Sequence, residues 1–221
     1  MTSEYLLLYH GTSLSKLESI LKDGIMPRRL SGKSNWDDNE SHDNMVYLTN
    51  SYAPYYSLAS LEDDDDKPVV LEIKFDEESM MNLFPDEDAL EQVNNSKYAD
   101  SYELGDLDIA NWHSDFPIGF SEMSMEDRTL WFKDNLYEFH MDSKNRMFYE
   151  KSLALLGTCC HEGMISADKI VRYSLLKPEK MLSYSDPVIC LANQMILGKH
   201  YQNVCSNIIW DKEYSEKVVV L

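Results

Sequence analysis

The sequence predicts a domain of mixed strand and helix, and three observations carry that expectation. Short apolar runs of strand character recur at Leu6 to Tyr9, Met45 to Thr49 and Val69 to Phe75. Segments with apolar residues at helical spacing lie between and after them, punctuated by Gly24, Pro54 and Pro187. With 221 residues and a 43 % hydrophobic share, the chain is long enough to bury one sizeable core.

Taken in order, Leu6, Leu7, Leu8 and Tyr9 read as a buried strand that puts His10 at its end beside an exposed backbone amide. Gly11 then offers bare backbone to a ligand. Ser15-Lys16-Leu17-Glu18 has the spacing of a capping box, and Leu14, Leu17, Ile20 and Leu21 form one apolar stripe. Gly24 followed by Ile25 suits a left-handed helix stop with its hydrophobic contact. Strict alternation in the second strand puts Met45, Tyr47 and Thr49 on one face and Val46 and Leu48 on the other. A helix is expected after Pro54, where small residues allow close packing on the strand. In the third strand Val69, Leu71, Ile73 and Phe75 face one way. Met80 to Leu83 and Asp86 to Val93 read as short helices, Asn94 to Pro117 as a polar loop over the cleft, and Ser124 to His140 and Ser143 to Leu156 as capped helices. Residues 157–162 and 170–176 read as strand, turn, strand, a last hairpin, followed by an amphipathic helix over Pro187 to Ile209. The expected division is residues 1–184 as the main domain, and 185–221 as a helical extension packed on it.

The segments YHGTSLSKLESILKDGI (Tyr9 to Ile25), VYLTNS (Val46 to Ser51) and, less closely, SLALLGTCCHEGMISADKI (Ser152 to Ile170) resemble motifs of the ADP-ribosyltransferase superfamily, near its poly-ADP-ribose-polymerase-like and RNA 2′-phosphotransferase-like branches. The resemblance implies an α+β fold of two small packed β-sheets with flanking helices, and NAD as co-substrate with no metal. It implies that His10 bonds the ribose, that Gly11 offers backbone groups to the nicotinamide amide with Thr12 beside it in the binding set, and that Tyr47 stacks on the nicotinamide ring. Thr49 and Ser51 complete the expected binding set, and Glu162 joins His10 and Tyr47 as the expected catalytic group.

The chemistry explains why such residue types suit such a reaction. Breaking the bond between a ribose and a cationic nicotinamide builds positive character on the sugar, so a catalyst must hold both rings and stabilise that charge. An aromatic face suits a flat cation, and a carboxylate beside the ribose hydroxyls offsets the developing charge and orients a nucleophile. In the strand over residues 157–162, alternation puts Thr158, Cys160 and Glu162 on one face and Cys159 and His161 on the other, so either Glu162 or His161 points at the site. Glu150 is an alternative carboxylate. The phosphotransferase branch relies instead on basic residues, for which Arg28 and Arg29 are the nearest positions.

Charge bounds the partners. A net charge of -19 disfavours an open basic groove for nucleic acid and favours a protein as the macromolecular acceptor. It also suits a phage, defence or toxin-like protein that mimics a polyanion. Much of the acidity lies in Asp37 to Glu40, Glu62 to Asp66 and Asp86 to Asp88, expected as solvated loops or helix starts. No apolar run is long enough to span a bilayer and no signal peptide is visible, so a cytoplasmic protein is expected. Cys159, Cys160, Cys190 and Cys205 are expected as free thiols, and the six histidines lack metal-ligand spacing. The expected activity is mono-ADP-ribosyl transfer from NAD. The alternatives are RNA 2′-phosphotransfer, or an inactive module of the same fold that binds NAD, ADP-ribose or a protein.

Overall fold

Two eight-residue strands form the centre of the computed structural model, which describes residues 5–32, 42–86, 149–150, 152–153, 157–181 and 209–221. β1 (Leu6–Ser13) and β3 (Pro68–Phe75) run antiparallel, from Leu6 opposite Phe75 to Ser13 opposite Pro68. The long partner explains why β1 does not stop at Tyr9. The strand continues through His10 and Gly11, so His10 lies inside a ladder opposite Leu71, not at a strand end.

Around this pair the other strands are β2 (Met45–Thr49), β4 (Leu83–Pro85), β5 (Thr158–Glu162), β6 (Ile170–Leu176) and β7 (Ser215–Val220). They form one antiparallel sheet in the order β4-β5-β2-β1-β3-β6-β7. The class is therefore α+β, but one seven-stranded sheet stands where two packed sheets were expected. The two halves are joined thinly. β2 pairs with β1 only through Tyr9 opposite Thr49, whereas β2 and β5 pair from Met45–Glu162 to Thr49–Thr158. The expected last hairpin is also corrected: β5 lies in one half and β6 in the other, so these neighbours in sequence never pair.

Helices flank the sheet: α1 (Leu14–Asp23), α2 (Arg28–Ser31), α3 (Ala53–Ala59), α4 (Glu77–Met80) and α5 (Pro178–Met181). The expected capping box at Ser15 is not used. Ser15 instead gives its amide (3.1 Å) and hydroxyl (2.9 Å) to the Asp66 carboxylate, which caps α1 from another part of the chain. One acidic loop residue thus has a structural use. Gly24 does end α1 with a positive φ of 89°, though with extended ψ, and Ile25 goes on to bridge Ile165.

On one sheet face Leu8, Val46, Leu48, Val69, Leu71, Ile73 and Phe75 pack with Leu17, Ile20, Leu83 and Cys159, as alternation in β3 predicts. The other face carries two smaller clusters, Tyr9, Ala53, Val70, Leu176 and Ile209 in one and Met45, Phe84 and Cys160 in the other. Residues 83–85, expected as the end of one short helix at Leu83 and the gap before the next, form β4 against β5, and residues 215–220, expected within a helical extension, form β7 against β6. The expected helices over 87–93, 124–140 and 187–208, the loop over 94–117, Cys190 and Cys205 lie outside the described residues. Among the described residues no helix is long and apolar enough to cross a membrane, and no group of three or more metal-ligating side chains occurs.

Candidate functional site

The single Tyr9–Thr49 pair sets the geometry of the site. Beyond it the ladder between β1 and β2 stops, and the His10 side chain takes up the main-chain carbonyl of Tyr47 with Nδ1 at 2.9 Å. A carbonyl only accepts, so Nδ1 carries the proton and Nε2 is left as an acceptor. Burial pushes the imidazole below its usual value; the bond to the Tyr47 carbonyl opposes this and the charge of Lys16 adds to it. His10 is thus a neutral base at physiological pH. By alternation its side chain leaves the sheet with Leu8 on the main core face, whereas Tyr47 leaves on the face of Thr49. The two are joined through main chain across the seam, not ring against ring.

The half-buried Tyr47 ring packs against Met45, Phe84 and Cys160, and its hydroxyl accepts from the backbone N–H of His42 at 3.0 Å. Register sorts the two candidates in β5 onto opposite faces of the sheet, Glu162 with Tyr47 and His161 with His10. Tyr47 stands opposite Cys160 and Met45 opposite Glu162, so Glu162 shares the face of Tyr47. The two are one pleat repeat apart, roughly 7 Å along the strands. His161 is on the other face, buried against Phe75, and its Nδ1 lies 3.3 Å from the Gly163 carbonyl. Burial pushes His161 below its usual value, the Gly163 carbonyl opposes this, and Lys169 adds to it. Glu162 is half-buried and accepts from the Asn44 amide at 3.4 Å.

Other expected site residues have structural partners. Gly11 is pressed against α3: a Cβ there would stand 2.4 Å from the carbonyl oxygen of Ala53 and 2.4 Å from the amide nitrogen of Ser57. Its missing side chain therefore admits a helix, not a ligand. Thr12 is buried, in the strand row that holds Leu8 and His10. The Thr49 hydroxyl donates to the Gly157 carbonyl (2.5 Å) and accepts from the amides of Ser51 and Tyr52. Ser51 is buried, and its hydroxyl donates to Asn50 Oδ1 at 2.7 Å. These two residues tie the start of α3 to the start of β5. Glu150 and Arg29 are exposed, while Arg28 is half-buried on α2 within the field of His42.

Sequence reasoning missed His42 and Asn44. Their signal was slight, a turn-forming His-Asp-Asn stretch just before a strand. A cavity of about 340 Å³ lined by Phe75, Asp76, Asn82, His161, Ile165 and Lys169 opens on the His161 side, with none of His10, Tyr47 or Glu162 in its wall.

No protein-family model matches the chain, and no curated protein matches it. Among solved structures it is similar to EcPltA over 80 % of this chain and 77 % of that one, with a TM-score of 0.34 and 13 % identity. A likeness this loose carries no argument about fold or function.

Proposed function

We propose that the chain is an ADP-ribosyltransferase of the histidine-tyrosine type that takes NAD as co-substrate and transfers ADP-ribose to a macromolecular acceptor. The observation that carries this reading is the junction at the seam. His10 is a neutral imidazole fixed by the Tyr47 main chain, while Tyr47 and Glu162 stand on one face one pleat repeat apart. The motif resemblance at Tyr9 to Ile25 and Val46 to Ser51 supports it independently.

In this reading NAD lies where β1 and β2 part. Because the two side chains leave opposite faces of the sheet, NAD would have to pass through the gap between the strands, with Nε2 of His10 accepting a ribose hydroxyl on one side and the Tyr47 ring facing the cationic nicotinamide on the other. The glycosidic C–N bond breaks with its electron pair leaving on nicotinamide, which becomes neutral. Glu162 offsets the positive charge on the sugar, and an acceptor nucleophile forms the new bond to the anomeric carbon and passes its proton to the Glu162 carboxylate, from which it goes to water. Gly11 holds α3 in place instead of meeting the ligand with its open face. The net charge of -19 favours a protein acceptor over nucleic acid.

Incubation of the pure protein with NAD and candidate acceptor proteins tests this. Release of nicotinamide with an ADP-ribose adduct, abolished in Glu162→Gln, is expected. Transfer from a 2′-phosphorylated oligonucleotide, or binding of NAD without any nicotinamide release, would overturn it.

A further inference from the structure

We propose that the turn from His42 to Met45 is a positioning element that holds Tyr47 and Glu162 in one geometry, with Asn44 as the positioning residue for the Glu162 carboxylate. This rests on the reading of Tyr47 and Glu162 as site residues.

Six hydrogen bonds converge on this turn. Met45 N–H donates to the His42 carbonyl at 3.3 Å and closes it. His42 N–H donates to the Tyr47 hydroxyl at 3.0 Å, which fixes the outer end of the ring. Asn44 grips the end of β5 twice: its carbonyl accepts from Gly163 N–H at 2.8 Å, and its side-chain amide donates to Glu162 Oε1 at 3.4 Å. The turn is also anchored to α2, because Arg29 N–H donates to the Asp43 carbonyl at 2.6 Å. A carboxylate on a strand end has several rotamers open to it, and a donor from a backbone-anchored amide selects among them.

The His42 ring adds a dependence on pH. Its Nδ1 lies 3.2 Å from the backbone N–H of Asn44, and since that group only donates, Nδ1 must be unprotonated there. The charged groups facing it are Asp43, with Oδ1 at 3.9 Å, Glu162 from β5 and Arg28 from α2, while Tyr47 reaches the turn from β2. Protonation at Nδ1 removes the acceptor for Asn44 N–H and draws the ring toward Asp43. The turn then loosens, and with it the hold on Glu162. Burial keeps the His42 midpoint below its usual value, against the pull of Asp43 and Glu162 and with the push of Arg28.

The test uses the full chain labelled with 15N and 13C, and three variants: Asn44→Asp, Asn44→Ala and His42→Gln. Asn44→Asp keeps the shape and the backbone bond to Gly163 but cannot donate to Glu162, so a purely structural turn tolerates it. In the unaltered chain, the Tyr47 ring and Glu162 carboxyl signals are expected to shift with the midpoint of His42. In both Asn44 variants the Glu162 response shrinks to what the His42 charge exerts directly while the Tyr47 response remains; in His42→Gln both vanish. If NAD is consumed, kcat falls on the order of ten-fold in Asn44→Asp with KM nearly unchanged. A Glu162 signal indifferent to Asn44 and to His42 titration overturns the proposal. Absence of NAD cleavage in the unaltered chain overturns the transferase reading instead, and leaves the coupling to be decided by the signals.

Discussion

The Nδ1 of His10 donates to the main-chain carbonyl of Tyr47 at 2.9 Å, across the place where the two halves of the sheet share a single residue pair. One side chain therefore closes a gap in the ladder and fixes its own tautomer. His10→Ala removes the donor to that carbonyl, which is expected to cost about 1–2 kcal/mol in urea unfolding. In the proposed function it also abolishes nicotinamide release. A destabilised variant that still turns over NAD at the original rate would reduce His10 to a structural bond.

Gly11 makes a prediction of a different kind. Because a Cβ would meet backbone atoms of α3 at 2.4 Å, and backbone cannot swing aside as a side chain does, Gly11→Ala must push α3 off the sheet. The expected loss is roughly 3 kcal/mol or more, read as a lower urea midpoint or as failure to fold. A Gly11→Ala protein with unchanged stability and weakened NAD binding would restore the glycine to the ligand.

How much of this was legible in the sequence depends on whether local chemistry or distant pairing decided it. The faces of β3 followed from alternation, and α3 followed from Pro54, because each answers to its own residues. β4 was not legible: three residues ending in Pro85 are too short to show a period, and only pairing with β5 makes them a strand. The cap of α1 was misread because Asp66, fifty-one residues away, outcompetes the local box. The Lys217-Val218-Val219-Val220 run had strand character that the expectation of a helical extension obscured. At the candidate site, motif position pointed to His10, Tyr47 and Glu162, whereas only the register with β2 shows that Glu162 shares the face of Tyr47 and His161 does not.

The histidines predict an acid-sensitive fold. His10, His42 and His161 are all held below their usual value, each chiefly by burial. The unfolded chain takes up these protons at about pH 6.5, and the folded chain only at lower pH. Their contribution is therefore complete above about pH 6.5, declines as pH falls from there toward the folded midpoints, and levels off below them. A second loss follows at lower pH. Partial burial raises Asp66, but hydrogen bonds from Ser15, Lys67 and Glu62 outweigh this and lower it to about 2. Asp76 is held down by Lys169 and then by Ser79. Both carboxylates contribute above their usual range and lose that contribution as pH falls through it toward the folded values. Thermal unfolding from pH 8 to pH 4 should show Tm falling below pH 6.5. A flat Tm between pH 7.5 and pH 5.5 would contradict this.

Tyr47 separates packing from stacking. Tyr47→Phe loses the bond from His42 N–H that fixes the outer end of the ring but keeps the ring against Met45, Phe84 and Cys160, so NAD affinity should fall less than in Tyr47→Ala. Tyr47→Ala removes the aromatic face and is expected to weaken NAD binding by roughly 1–3 kcal/mol, measured by calorimetry. Equal affinity in a folded Tyr47→Ala protein would remove this residue from the site.

On the sheet face of Tyr9, Glu72 and Arg172 form a cross-strand pair between β3 and β6, with two bonds of 2.8 and 2.7 Å. The carboxylate is buried with the side chain 5 % exposed, and the guanidinium, 32 % exposed, lies 3.8 Å from the centre of the Trp210 ring. Trp210 in turn stands 6.4 Å from Tyr9, so this column ties the C-terminal segment to the centre of the sheet. A buried pair is costly to break from one side, because the partner left behind keeps its desolvation without its counter-charge. Arg172→Met should therefore cost about 3 kcal/mol, while Arg172→Lys, which keeps charge but loses the planar fork and the stacking, costs less. Joining Glu72→Met to Arg172→Met should recover most of the loss, since neither charge is then buried alone. A double-mutant cycle in urea, followed by Trp210 fluorescence, measures this directly. Additive losses below about 1 kcal/mol each would mean that solvent already screens the pair, as at an exposed surface.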